Sequence, residues 1–194
     1  MIGEILTTER LILKPLGLED TQGLTRYVSL NREWLDPWEP SHQASYYTLE
    51  GQSNLLRQCE EERRRGTGVL FGVILRLASG SASDGEIIGR ISITGIVRGI
   101  WQNGFVGYSI ASEFSGQGYM TEALARVVRF GFHDLGLHRL QASIIPRNRA
   151  SVRIAEKCHF RHEGQALRYL LINNVWEDHD LYALTREDLS GRPG

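Results

Sequence analysis

The chain has 194 residues, of which 41% are hydrophobic and 23% are charged, and its formal net charge at pH 7 is −1. These values are typical of a globular protein with a substantial core, and we expect a single domain over residues 1–194. The near-neutral charge creates no global field that would attract nucleic acid or a membrane surface. We therefore expect neither as a direct partner, and the sequence leaves open whether the protein is a monomer or a homodimer.

Targeting segments and metal sites are not predicted either. The longest apolar run, VLFGVIL at 69–75, is too short to cross a bilayer, and the first residues lack the basic start and apolar stretch of a signal peptide. Cys59 and Cys158 match no metal-ligand or redox spacing, so we expect no metal. This cysteine usage suits a reducing cytoplasm, where we expect the protein to act.

The first half of the chain predicts strands and helices in alternation. Short apolar runs bounded by Gly or Pro indicate strands, and longer runs with apolar residues three and four apart indicate helices. In order, the predicted elements are a strand (10–16), a helix (18–30), an irregular Pro- and Trp-containing segment (33–40), a helix that stops at Gly66 (48–66), and two strands (69–77 and 86–97) joined by an exposed Gly/Ser loop (78–85).

The second half repeats this alternation and ends in a hairpin. Its predicted elements are a strand with Gly107 as a candidate bulge (104–111), a glycine loop (115–120), a helix with an apolar stripe from Met120 to Phe132, a strand (138–145), a short helix (149–158), and a hairpin around Asn173-Asn174 (163–173 and 175–184). Because hairpins join several strands, we expect an α/β (α+β) fold. About four helices should flank a mixed, mostly antiparallel sheet of about seven strands.

The stretch SGQGYM at 115–120 leads from a strand into a helix through two glycines. Such a loop directs free backbone N–H groups at one point, and the helix dipole strengthens that point as a site for a phosphate-bearing ligand. Gly116 and Gly118 would let the ligand approach the backbone closely. The alternative is a tight turn without a ligand. A Walker loop does not fit, because Tyr119 and Met120 follow where Lys and Ser or Thr are required.

Two segments carry a resemblance to a known family, namely GYSIASEFSGQGYMTEAL (107–124) and HRLQASIIPRNRASVRIAEKCHFRHEG (138–164). They resemble the signature segments of the GNAT superfamily of acetyltransferases, including its N-x-x-S pattern at Asn148 to Ser151. The stretches TTERLILKPL, REWLDPWEP and YLLINNVWEDHDLYAL are similar to the RimJ/RimL type, the ribosomal-protein N-terminal alanine acetyltransferases.

The chain departs from the family pattern at three positions. Ser115 stands where the loop usually opens with Gln or Arg, and Met120 where it usually closes with Gly or Ala. His159 replaces the glycine of a K-x-G-F pattern, so a non-glycine residue occupies a position that favours glycine if its φ is positive. These changes bear on the affinity for the coenzyme and leave the expected fold unchanged.

The resemblance implies acetyl-CoA as the co-substrate, bound by a coenzyme segment at about 104–160. Elements at about 18–66 and 163–184 would contact the acceptor amine. The residues that the resemblance and the glycine loop assign to coenzyme binding are Ile110, Ser115, Gly116, Gln117, Gly118, Tyr119, Met120, Thr121 and Asn148.

Direct attack of an amine on the thioester requires one group that takes the amine's proton and one that protonates the departing thiolate. Ser151 is the candidate for the thiolate; the alternative is that Asn148 only caps the helix and Ser151 fills its first turn. Glu39 and Asp178 are the candidate bases. Otherwise Glu39 is a solvated acid on a loop anchored by tryptophans, and Asp178 lies on a solvated strand face or in an ion pair.

Three functions stay open at this point. The leading interpretation is an acetyl-CoA-dependent N-acetyltransferase that acts on a protein N-terminal α-amine, such as that of a ribosomal protein. The second keeps the coenzyme and takes a small amine, such as an antibiotic or a polyamine, as acceptor. The third is a non-catalytic acyl-CoA-binding or assembly module.

Overall fold

One mixed sheet of eight strands runs through the computed structural model, which describes residues 4–76 and 82–190. The strands are β1 (Leu6–Thr7), β2 (Leu11–Pro15), β3 (Val69–Arg76), β4 (Ala82–Val97), β5 (Asn103–Ile110), β6 (Arg139–Ile144), β7 (Arg161–Ile172) and β8 (Val175–Thr185). Their order across the sheet is β1-β2-β3-β4-β5-β6-β8-β7. Only β5 and β6 pair in parallel among these neighbours, so the predicted mixed and mostly antiparallel sheet is confirmed, with one strand more than expected.

The described ranges contain six α-helices, two of them very short. They are α1 (Thr21–Leu30), α2 (Arg32–Leu35), α3 (Leu49–Arg65), α4 (Tyr119–Arg129), α5 (Arg149–Lys157) and α6 (Arg186–Ser190). A π-helical turn, Phe130–Asp134, continues α4. None of the helices in these ranges combines the length and the apolar character needed to cross a membrane.

The helices cover the two faces of the sheet because each strand alternates its side chains between them. Leu11 and Leu13 of β2 belong to the core cluster that contains the apolar stripe of α4, whereas Ile12 packs against the cluster of α1 and α3. The stripe of α4 consists of Met120, Ala123, Leu124, Val127 and Val128, all buried. Burying each of the larger side chains of this stripe, the Met, Leu and Val residues, stabilises the fold by roughly 1.5–3 kcal/mol.

Local sequence signals define where two of the helices begin and end. The Thr48 hydroxyl accepts a hydrogen bond from the Gly51 N–H at the start of α3, and Gly66 ends that helix with a φ of +74°. His159 follows α5 with a φ of +68°. Its N–H donates to the Glu156 carbonyl and the Phe160 N–H to the Ala155 carbonyl, which is the bond pattern of a Schellman motif. A left-handed residue is required there, so His159 occupies a position that favours glycine.

Several predicted boundaries were wrong. Strand β4 begins at Ala82 rather than at 86, and residues 78–81 of the predicted Gly/Ser loop lie outside the described residues. Part of the segment 33–40 is helical, because α2 and a 3-10 turn at Asp36–Trp38 occupy it, with Pro37 near the start of that turn, where no N–H is needed. Strand β1 and helix α6 were not predicted. Both are too short to produce a recognisable period.

Gly107 is not a bulge, contrary to the prediction. It pairs with Ser92 in a register that runs without a shift from Gly89 to Thr94 of β4. The β4–β5 pairing shifts only between Thr94 and Val97, and a longer interruption lies on the other side of β5. The pairing between β5 and β6 covers only 103–105 with 139–141, and in the described sheet the two strands are no longer paired beyond those residues.

Candidate active site

A cavity of about 580 Å³ lies where β5 and β6 separate. Residues 106–110 of β5 and 142–144 of β6 form two of its walls, and the first turn of α5 and the segment from Trp34 to Tyr46 close it. Strand β5 uses one edge to pair with β4, so its other edge directs backbone N–H and C=O groups towards this cavity. An unpaired strand edge of this kind can hydrogen-bond an extended ligand that carries amide groups.

The glycine loop lies at one end of the cavity. Gly116 and Gly118 have φ values of +76° and +82°, and Gly118 is the N-cap of α4. A Cβ built on Gly116 would meet no atom within 4 Å. Glycine is therefore favoured at this position by the positive φ and not by crowding inside the protein. Free N–H groups of the first turn of α4 converge with this loop, as anion binding at a helix N-terminus requires.

The cavity lining contains half of the predicted site residues. Gly116, Gln117, Gly118, Tyr119 and Thr121 lie in the loop and the first turn of α4 rather than in the cavity lining itself. The predicted residues that line the cavity are Glu39, Ile110, Ser115, Met120, Asn148 and Ser151. Residues from segments far apart in the sequence therefore meet in one place.

Asn148 caps α5 and also lines the cavity. Its Oδ1 accepts a hydrogen bond from the Ser151 N–H at 3.1 Å. The capping role considered for Asn148 is thus present, and the amide nitrogen of the same side chain is the group available for a ligand. Tyr108, also in the lining, donates from its hydroxyl to the Ser151 carbonyl at 2.9 Å. Burial raises the pKa of the Tyr108 hydroxyl, which therefore stays neutral across the physiological range.

Glu39 is paired with Arg90 across the cavity wall. Nη2 of Arg90 donates to both carboxylate oxygens of Glu39 at 2.7 Å, its Nη1 donates to the Tyr46 hydroxyl, and its Nε to the Ser109 hydroxyl. Burial acts to lower the pKa of the Arg90 guanidinium, but the Glu39 carboxylate, Tyr46 and Tyr27 together outweigh it, and the pKa is raised. Arg90 is therefore a permanent cation, and it engages both oxygens of the acid that was expected to act as a base.

A tyrosine hydroxyl extends this network into the core. Tyr27 donates to the Ser109 hydroxyl at 3.0 Å, and burial raises the pKa of Tyr27 to about 12. On the other side, His42 stacks on Tyr46 with the ring centroids 3.7 Å apart, and its Nε2 lies 3.6 Å from a Glu39 oxygen. This side of the cavity is thus a set of connected polar groups around the Glu39–Arg90 ion pair.

Asp178 is not brought to the cavity. Its Oδ1 accepts a hydrogen bond from the Arg168 N–H at 2.7 Å, where β7 is irregular and Arg168 has a φ of +49°. The next residue, His179, is buried and lines the cavity instead. Successive side chains of a strand point to opposite faces, so Asp178 and His179, which are neighbours in β8, lie on different sides of the sheet.

The sequence interpretation missed several cavity residues, among them Arg90 and His179. Arg90 had a signal, because it is the one charged residue inside the apolar stretch IIGRISITGIV, and a buried cation in a strand calls for a partner. His179 had none, since the acidic run WEDHD does not show which residues face inwards. Among the residues that the structure describes, no cluster of His, Cys, Asp and Glu is arranged to hold a metal ion.

Comparisons with known proteins agree with this geometry. The Acetyltransferase (GNAT) domain family matches residues 10–161. The Probable N-acetyltransferase YjcK of Bacillus subtilis (strain 168) is 35% identical over 184 residues, which cover 95% of this chain and 98% of that protein. The ribosomal protein uS5-alanine N-acetyltransferase of Escherichia coli (strain K12) is 34% identical over 183 residues, which cover 94% of this chain and 91% of that enzyme.

Solved structures resemble the chain over nearly its whole length. The ribosomal-protein-S5-alanine acetyltransferase from Vibrio fischeri has a TM-score of 0.88 and 32% identity, covering 98% of this chain and 100% of that one. RimJ from Mycobacterium smegmatis, in complex with CoA-disulfide, has a TM-score of 0.85 and 29% identity, covering 92% of this chain and 83% of that one. The chain therefore belongs to the GNAT family of acetyltransferases, enzymes that transfer the acetyl group of acetyl-CoA.

Proposed function

We propose that this enzyme acetylates the α-amine of a protein N-terminus, with a terminal alanine or serine of a ribosomal protein as its acceptor. The observation that carries the proposal is that the glycine loop, the open edge of β5 and the Glu39–Arg90 pair meet at one cavity. The relatives named for ribosomal protein uS5-alanine acetylation support the choice of acceptor. A ribosomal acceptor would place the enzyme in the cytoplasm, in keeping with its free cysteines.

The donor end of the cavity fits acetyl-CoA. Backbone N–H groups of the loop 115–118 and of the first turn of α4 would hold the pyrophosphate. The open edge of β5, with the side chain of Asn148, would hold the amides of the pantetheine arm. When bound, acetyl-CoA supplies a thioester carbonyl that an amine can attack directly. We propose that residues 104–160 form this coenzyme part of one acetyltransferase domain.

The acceptor end fits a positively charged or polar amine. Glu39 and His42 provide acceptor atoms near the tryptophans of the segment 34–38, and Arg90 fixes the Glu39 carboxylate in one orientation. A carboxylate held in this way orients an amine without having to become protonated itself. Ser151 lies in the same cavity and stays our candidate for protonating the sulfur.

The ionisation of amines favours an α-amine over a lysine. An amine must be neutral to attack, and the ordinary pKa is about 7.8 for an α-amine and about 10.4 for lysine. Neutralising lysine near pH 7.5 costs about 4 kcal/mol, whereas an α-amine costs less than about 1 kcal/mol. Glu39 does not offer a free base that would supply the larger amount, because Arg90 engages both of its oxygens.

The test is an acetyl-transfer assay that measures thiol release with peptides and small amines. The peptides begin with alanine or serine, contain an internal lysine, and are compared with forms blocked at the N-terminus. We expect turnover of the free peptides only, with mass spectrometry locating the acetyl group on the α-nitrogen. Acetylation of the lysine, or turnover of polyamines or aminoglycosides alone, would overturn the proposed acceptor. Coenzyme binding without any turnover would instead indicate a non-catalytic module.

A further inference from the structure

His179 lies in the cavity with its ring held in a defined way. Only 3% of the residue is exposed to solvent, and it nevertheless lines the cavity, so protons reach its ring through the space in which the reaction takes place. Strand β8, which carries it, is paired with β6 up to Asp180 opposite Ile144. His179 therefore follows directly beyond the last pair, where β6 ends and the loop towards Asn148 begins.

The hydrogen bond of His179 determines which nitrogen is basic. Nδ1 lies 3.0 Å from the carbonyl oxygen of Glu177, which can only accept a hydrogen bond. Neutral imidazole carries one proton, and this contact places it on Nδ1. Nε2 then keeps its lone pair.

Two other bases in the cavity, Glu39 and His42, already have partners. Both oxygens of Glu39 accept from Arg90, and the His42 ring is stacked on Tyr46 with Nε2 directed at Glu39. His179 is the remaining imidazole of the described cavity lining.

We propose that Nε2 of His179 is the general base of the reaction; the identity of the amine rests on the proposed function above. The attacking nitrogen forms a bond to the acetyl carbon and its proton passes to Nε2, while the bond between that carbon and sulfur breaks. The Ser151 hydroxyl gives a proton to the thiolate and regains one from solvent. His179 returns its proton to solvent, so the products are an amide and a free thiol.

The charged and titratable groups around His179 come from each element that packs near it. Tyr169 of β7 has its ring centroid 5.7 Å away, and Glu177 of β8 forms an ion pair with Arg147 at 2.8 Å. The other such groups of the cavity lining are Glu39, His42, Tyr46, Cys59, Glu62, Arg90 and Tyr108. Burial raises the pKa of the Cys59 thiol to about 11 and also raises the pKa of the Tyr108 hydroxyl. His42 is the group whose contribution the experiment must separate from that of His179.

The pH dependence of kcat/KM distinguishes a base from a structural histidine. At pH 8 we expect His179→Gln to lower kcat/KM by about 100-fold or more, as loss of a general base does. The deficit should shrink as the pH falls to 5, because protonated His179 cannot accept a proton in the parent enzyme either. Below pH 6, log kcat/KM of the parent should therefore rise with pH with a slope of two, because both His179 and the amine must be deprotonated. In the variant only the amine contributes, and the slope should be one.

The matched control is His162→Gln on the same hairpin. His162 is half-exposed, has its ring 5.3 Å from Tyr182 and is absent from the cavity lining. We expect it to keep the parent's rate and slope. His42→Gln, measured in the same way, should lower the rate without changing the slope. A deficit for His179→Gln that is constant from pH 5 to 9, or a slope that changes with His42→Gln instead, would overturn the proposal.

Failure of the proposed acceptor can be told apart from failure of this base. If the parent acetylates small amines and no peptide, the proposed function is wrong, and the same pH series with such an amine still tests His179. ¹⁵N-labelled histidine, observed by NMR at pH 9, needs no acceptor at all. The signal lost in His179→Asn or His179→Gln should report a proton on Nδ1. A proton on Nε2 would refute the proposed base.

Discussion

Arg10 and Glu122 form an ion pair beside the glycine loop, with Nε of Arg10 2.7 Å from a Glu122 carboxylate oxygen. The same guanidinium donates to the Gln117 carbonyl at 3.1 Å and lies 4.5 Å from the centre of the Tyr119 ring. One side chain from the start of β2 thus connects the loop to the first turn of α4. It supplies a cation near the loop whose first residue, Ser115, is uncharged.

We expect Arg10→Met to weaken acetyl-CoA binding about tenfold, because the loop loses its support and a positive charge near the proposed pyrophosphate. Acetyl-pantetheine, which lacks the nucleotide, should bind the variant and the parent equally. The fold should lose no more than about 1 kcal/mol, as is usual for a partly exposed ion pair. Lys14→Met on the same strand breaks a comparable pair with Asp20 and is the control. Equal affinities for acetyl-CoA in all three proteins would contradict this role for Arg10.

The proposed role of the glycine loop in coenzyme binding can be tested by comparing a glycine inside the loop with a similar glycine outside it. Gly116 and Gly136 both have positive φ, and a Cβ built on either meets no atom within 4 Å. Asparagine tolerates this backbone conformation, so both Gly→Asn variants should fold. We expect only Gly116→Asn to weaken acetyl-CoA binding, by about tenfold or more in calorimetry. Equal affinity in both variants would remove the loop from the coenzyme site.

Asn148 has a capping role and a proposed ligand role that substitution can separate. Serine caps a helix well but lacks an amide N–H, so Asn148→Ser should keep the melting temperature and weaken coenzyme binding. Asn148→Ala should lose about 1 kcal/mol of stability in addition. Ser151→Ala should lower kcat more than it changes binding. Full turnover in both Asn148→Ser and Ser151→Ala would leave capping as the whole role of this turn.

The Glu39–Arg90 pair should be costly to break from one side. Only 16% of the Arg90 side chain and 18% of the Glu39 side chain are exposed. Arg90→Met leaves a carboxylate without its partner and should lower the free energy of unfolding by roughly 2–4 kcal/mol, somewhat less than for a fully buried pair. Adding Glu39→Gln to that variant should restore part of the loss, measured by urea unfolding. Strictly additive losses would show that the two side chains are not coupled.

Acid should destabilise the protein through Glu163. A hydrogen bond from Arg139, followed by the charges of Arg139 and Arg161, lowers the pKa of the Glu163 carboxyl. A carboxyl whose pKa is lower in the folded state stabilises the fold above the unfolded pKa of about 4.3 and loses that contribution as the pH falls through the folded value. The free energy of unfolding should therefore decline below about pH 4.5, less steeply in Glu163→Gln. The exposed Glu4→Gln should follow the parent.

Apolar periodicity predicted the longer strands and helices, because a long apolar pattern restricts the choice between the two. It failed for β1, whose two residues cannot establish a period, and for Gly107, where a glycine in a strand has several explanations. The cavity shows a different limit. Arg90 and Glu39 are 51 residues apart, and only the packed chain shows that they pair. Asp178 and His179 differ by one position, and the register against β6 decides which of them faces the cavity.

The two ends of the cavity depend on different parts of the residues, the main chain at one end and the side chains at the other. At the proposed coenzyme end, the geometry comes from the main chain: an open strand edge, two glycines with positive φ and the start of a helix. At the other end it comes from the side chains Glu39, His42 and His179, on segments before and after the coenzyme part. We therefore expect point substitutions at the side-chain end to change which amine is accepted, while the backbone geometry that binds the coenzyme stays the same. Exchanging residues 34–46 together with the β7–β8 hairpin between relatives should transplant acceptor preference without rebuilding the enzyme.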